Sequence, residues 1–222
     1  MSLTIKKEEG GDFELLPAGT HAAVCIRIID FGPQITEYNG ETKEQNKMRL
    51  QFEVPAERIT WTDKEGVESE GPMTIGKTYT ASMFKMATLR QHLEAWRGKA
   101  FTEVEEMGFD IKNVLGKPCM IGVQHKEYNG REYAAITSIS PIMKGMEVKA
   151  ENPLVAFDFD LHTPEELAAL PEWMRDKIGD GKKLTETQEA RVGEGGYGGG
   201  GFRENENPAA KDVDIPEDDI PF

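Results

Sequence analysis

From Thr20 to Phe31 the chain is rich in β-branched and apolar residues, with Val24, Ile26 and Ile28 recurring at the two-residue period of a strand. Pro33 and the Asn39-Gly40 pair are expected to break that run. From Lys47 to Val54 the alternation is clean. Met48, Leu50, Phe52 and Val54 fall on one face and Lys47, Arg49, Gln51 and Glu53 on the other, the pattern of a half-buried strand. A polar loop is expected from Trp61 to Gly71, and a third strand near Lys77 to Phe84.

The period then changes. Met86, Leu89, Leu93 and Trp96 recur at helical spacing, and Gly98 supplies a stop. Thr102–Met107 and Ile111–Leu115 read as short helical pieces. Two further strands come next, Pro118–Glu127 and Arg131–Ile142. They are joined by Asn129-Gly130, a dipeptide suited to a type I′ turn because both central positions need positive φ.

The resulting order is β-β-β-α-β-β. It predicts a mainly β fold: a five-stranded OB-fold barrel with its helix between strands three and four, a fold that commonly binds oligonucleotides. Beyond residue 150, Thr163-Pro164-Glu165-Glu166 reads as N-cap, N1 proline and capping-box glutamate. Pro171 is expected to interrupt this helix, giving two short pieces docked on the barrel. The chain thus divides into an OB-fold domain (1–150), a helical extension (151–180), a flexible Gly-rich linker (181–211) and an acidic tip (212–222), with a disordered C-terminal tail.

Charge sharpens that division. The net charge is −14 over 222 residues. Residues 1–150 hold 19 basic and 22 acidic residues, whereas 151–222 hold 7 and 18. The acidity belongs to the C-terminal third, the signature of a folded body with an acidic tail. Cys25 and Cys119 both lie in apolar stretches and read as reduced core residues. No zinc-ligand spacing, signal-peptide core or membrane-length apolar run occurs, so no metal or cofactor is expected and the protein reads as cytoplasmic. HExxH, GxxxxGK[ST] and GxSxG are all absent. Asp158 and Asp160 alone make a weak case for metal-dependent hydrolysis, so an enzyme is not expected.

The last residues, DVDIPEDDIPF, place bulky apolar groups among carboxylates. Prolines and like charges keep this segment from folding alone. Its apolar groups concentrate at the very end, and Phe222 offers a ring beside the α-carboxylate, a pair that an apolar pocket with a nearby cation can capture. Asp218, Asp219, Ile220, Pro221 and Phe222 are therefore the candidate partner-binding residues.

Asp-Asp-Ile-Pro-Phe behind a glycine-rich linker and an OB-like body resembles the bacterial single-stranded-DNA-binding proteins. PAGTHAAVCIRIIDFGPQ and LEAWRGKAF are most similar to bacteriophage-encoded members. The additional helical segments near 101–115 and 163–178 depart from the bacterial pattern. The resemblance implies a protein that binds single-stranded DNA during replication, recombination or repair and recruits partner enzymes through its tip, in a bacterial host's cytoplasm if phage-encoded. A strand-annealing mediator and a protein adapter are the rival readings. A homo-oligomer is compatible with all of them, and a membrane association with none.

Sequence-tolerant binding of single strands needs cations for phosphates and aromatic rings for bases. Around a two-residue turn, Tyr128 faces Arg131, Lys126 faces Tyr133 and Gln124 faces Ala135, while Val123 and Ile136 point to the core. One hairpin face therefore gathers Lys126, Tyr128, Arg131 and Tyr133. Lys47 and Arg49 on the polar face of the second strand, Lys77 and Tyr79 on the third, and Trp61 between them complete the expected groove. Trp96 and Phe101 read as core, and Trp173 as a residue that docks the helical extension.

Overall fold

A computed structural model describes residues 14–38, 41–62 and 66–194, with the backbone alone at Tyr38 and 186–194. The expected linker glycines beyond Glu194 and the tip residues Asp218–Phe222 lie outside the described residues.

Six strands form one sheet: β1 (Gly19–Tyr38), β2 (Glu41–Thr62), β3 (Glu68–Thr80), β4 (Pro118–Tyr128), β5 (Arg131–Pro141) and β6 (Val155–Phe157). The main path, β3-β2-β1-β4-β5, is antiparallel throughout, and β6 pairs in parallel with β1 at Arg27–Ile29. The fold is mainly β, as the alternation predicts. The ladder is not closed: among the described residues β3 and β5 share no backbone pairing. Their seam is bridged instead, with Lys77 Nζ donating to Ile136 O at 3.4 Å.

Helix α1 (Thr88–Arg97) buries Leu89, Leu93 and Trp96 in a core shared with residues of β1 to β5. Trp96 packs against Phe52 with centroids 5.7 Å apart and donates its indole N–H to Pro118 O at 2.9 Å. Gly98 ends the helix in the left-handed region that Gly enters without Cβ strain. Met86 lies before the helix and is exposed. Next come α2 (Glu103–Met107), capped by the Thr102–Glu105 box, and a 3₁₀ turn at Ile111–Val114.

A second core sits on the opposite face of β1. Ile29 and Phe31 pack against Phe157 of β6, Phe159 just after it, Leu170 between α3 (Pro164–Ala168) and α4 (Glu172–Glu194), and Met174 and Ile178 of α4, with Leu167 of α3 at the margin. β1 is thus apolar on both faces because both are covered. The Thr163 cap and N1 proline of α3 are as expected. The helix after Pro171 is longer than expected: α4 is a continuous 23-residue helix that passes the boundary placed at 180.

Three other element boundaries move. β1 continues through Pro33 to Tyr38, because Gly32 (φ 68°) opens a bulge and only β2 flanks this part of the strand among the described residues. Trp61 is not in a loop; it belongs to β2 and pairs with Ser69. The third strand begins at Glu68 and ends at Thr80, leaving Phe84 exposed in the following loop. Pairing with Ile59–Thr62 makes Glu68–Gly71 a strand despite its polar composition.

Candidate nucleic-acid interface

The β4–β5 hairpin is built as its turn residues require. Asn129 and Gly130 adopt φ 50° and 75°, and the ladder pairs Tyr128 with Arg131, Lys126 with Tyr133, Gln124 with Ala135 and Val123 with Ile136. Val123 and Ile136 are buried; Lys126, Tyr128 and Arg131 are exposed and Tyr133 half-buried. The carboxylates Glu127 and Glu132 pair with each other and so fall on the other face. His125, also on that face, lies 3.5 Å from Glu132 and donates Nε2–H to Leu16 O at 2.8 Å. Register alone segregates cations and rings from acids.

The remaining candidates do not gather with this cluster. Lys47 lies on the outward face of β2 and donates to Thr80 Oγ1 at 3.1 Å. Arg49, on the same face, is only 8% exposed. Its guanidinium lies across Gly76, where an added Cβ would stand 2.5 Å from Nε, reaches Thr78 Oγ1 at 3.4 Å, and sits 5.2 Å from the Trp173 ring centroid. Trp173 in turn tilts against Phe31 at 6.1 Å. Arg49 thus keeps the outward face expected of it but is covered there rather than exposed. α4 lays Trp173 over it, which confirms Trp173 as a docking residue.

Lys77 and Tyr79 are corrected by register. They pair with Leu50 and Met48, the inward residues of β2, whereas Lys47, Arg49 and Gln51 pair with Thr80, Thr78 and Gly76. A shift of one residue moves a strand's side chains to the other face. Tyr79 is 3% exposed, and its hydroxyl meets His92 Nδ1 of α1 at 2.9 Å. Lys77 sits 5.8 Å above the Tyr79 ring, in the β3–β5 seam.

Trp61 is 49% exposed. It stands at the distal end of the β2–β3 ribbon with its ring over Gly71, where an added Cβ would come within 3.0 Å. It shares the inward-facing side with Ile59, opposite in sense to the outward hairpin cluster.

The outward side also carries residues that the sequence pattern did not single out. Thr74, Thr78 and Thr80 line β3 and partner Gln51, Arg49 and Lys47, and Arg27 of β1 pairs with Gln51. The alternating Thr-x-Gly-x-Thr-x-Thr of Thr74–Thr80 was the available signal.

The two thiols are core groups. Burial pushes Cys25 up to about 12 and raises Cys119 further, so neither supplies a thiolate near neutral pH. Asp158 uses Oδ1 to accept from the backbone of Asp160 and Leu161, and Lys112 approaches it at 3.9 Å. Among the described residues no set of three or more His, Cys, Asp or Glu side chains is arranged to hold a metal. No helix of the described residues is long and apolar enough to cross a membrane.

No protein-family model matches the chain, and no curated protein matches it.

Proposed function

We propose that this protein binds single-stranded DNA with little sequence preference and recruits partner enzymes of replication, recombination or repair through Asp218–Phe222. The observation that carries the reading is the β4–β5 hairpin. One exposed face combines Lys126 and Arg131 for phosphates with Tyr128 and Tyr133 for bases, and excludes the carboxylates of the same strands. The strand order, the helix between β3 and β4, and the Lys77 bridge between the end strands support an OB-type barrel around it. Lys47 and the threonines of β3 extend a polar outward strip on β2–β3.

The test is an anisotropy titration of labelled oligo-dT and the corresponding duplex at low and moderate salt. Single strands are expected to bind and to be preferred. Tyr128→Ala should cost ~1–3 kcal/mol of affinity. Arg131→Ala should weaken binding and flatten the log–log salt slope by about 0.7. Absence of any oligo-dT binding at low salt overturns the reading and leaves the protein adapter.

A further inference from the structure

We infer that the free edge of β3 at Glu68–Gly71 is a docking strand for an extended, basic segment of a partner protein. β3 is the terminal strand of the path, and among the described residues no strand pairs with its second edge. Such an edge offers backbone N–H and C=O groups to an incoming strand. Its side chains alternate in chemistry. Ser69 and Gly71 share a face with Trp61 and Ile59, whereas Glu68 and Glu70 share the other with Thr62 and Thr60. Glu68 and Glu70 are both exposed, and Glu70 also accepts from Arg58 Nε at 3.0 Å.

The edge therefore selects its occupant. A strand laid along β3 presents every second residue to the carboxylate face and the others to the Trp61 face. Lys or Arg alternating with apolar residues fits both: cations meet Glu68 and Glu70, and apolar groups meet Trp61 where it lies on Gly71. A second copy of this chain is disfavoured, because like edges bring carboxylates against carboxylates. Nucleic acid is disfavoured as well. Residues 57–70 contain five acidic and two basic residues, so phosphates are repelled where Trp61 is exposed. The inference does not depend on DNA binding by the β4–β5 hairpin.

The probe is a synthetic peptide of alternating Arg and Val, about eight residues long. It is titrated against the full chain by calorimetry, with the Trp61 indole N–H resonance as the local reporter. Wild-type protein should bind and shift that resonance. Trp61→Ala and Glu68→Lys should each weaken binding roughly tenfold, while Trp61→Phe retains it. The same peptide N-methylated at alternate backbone nitrogens should not bind, which separates strand addition from simple charge attraction. Thermal midpoints without peptide check that each variant folds, and the N-methylated peptide tests the idea on unaltered protein. Equal binding by Trp61→Ala, or by the N-methylated peptide, overturns the inference. So does loss of peptide-independent oligo-dT binding in Trp61→Ala together with tighter oligo-dT binding in Glu68→Lys, which would make the ribbon a base-stacking surface.

Discussion

Glu53 belongs by alternation to the polar face of β2, yet it is fully buried. Its carboxylate accepts from Glu151 N at 2.6 Å, Asn152 N at 2.9 Å and Asn152 Nδ2 at 2.6 Å, fastening that segment across the strand. Glu53→Ala strands three donors at once, so a stability loss of about 3 kcal/mol is expected in urea unfolding. Glu53→Gln keeps an acceptor and should lose less. Arg49 makes the same point with the opposite charge. Strand period told which residues share a face, but what covers that face is decided by residues roughly a hundred positions away or more. Glu53 and Arg49 were therefore legible as neighbours and not as buried groups. Tyr128 and Arg131 were legible because a two-residue turn fixes their pairing within four positions.

Elements held by local chemistry behaved accordingly. The Thr102 and Thr163 capping boxes and the Asn129-Gly130 turn stand where their residues dictate. The α1–α2 corner adds a charge network in which Arg90 joins Met83 O, Glu94 and Glu106, and Arg97 joins Glu105. The backbone N–H of Thr102, with the Arg97 guanidinium, lowers Glu105 from an ordinary value of 4.5 to about 2; the N–H of Phe101, with Arg90, lowers Glu94. A depressed carboxylate stabilises the fold above its unfolded value and loses that contribution as protons bind the folded state. The thermal midpoint should therefore fall as pH drops from about 4.5 toward 2, and Glu105→Gln should flatten that decline. Helix α4 depends on distant packing instead. Gly181 lies against β1, where a Cβ would come within 2.7 Å of Phe31 O and 3.0 Å of Pro33 O. Gly181→Ala should lift the helix at a cost of ~1–3 kcal/mol, seen as faster amide exchange around Trp173 while the β4–β5 ladder keeps its protection.

Over the whole molecule the charge is divided unevenly between residues 1–150 and the acidic C-terminal third. A tethered acidic segment competes with phosphates for exposed cations at high effective concentration. Removing 212–222 should raise oligo-dT affinity several-fold at low salt and leave it unchanged near 1 M salt, where screening acts within ~3 Å. Equal affinities at low salt would exclude that competition. On the proposed function the hairpin would hold nucleic acid and Asp218–Phe222 would hold partners. The β3 edge would add a second point of protein contact, acidic like the tip.

The sequence by itself determined the mainly β class, the helix between β3 and β4, the capped turns and the register of the β4–β5 hairpin. Each follows from side-chain period or turn chemistry within a dozen residues. Only the tertiary structure decided that β1 is covered on both faces, that Lys77 and Tyr79 face inward, and that Trp173 closes over Arg49. Those outcomes depend on which strand pairs with which, in what register, and on where α4 returns to the sheet. Period two fixes faces within a strand but carries no information about what lies opposite.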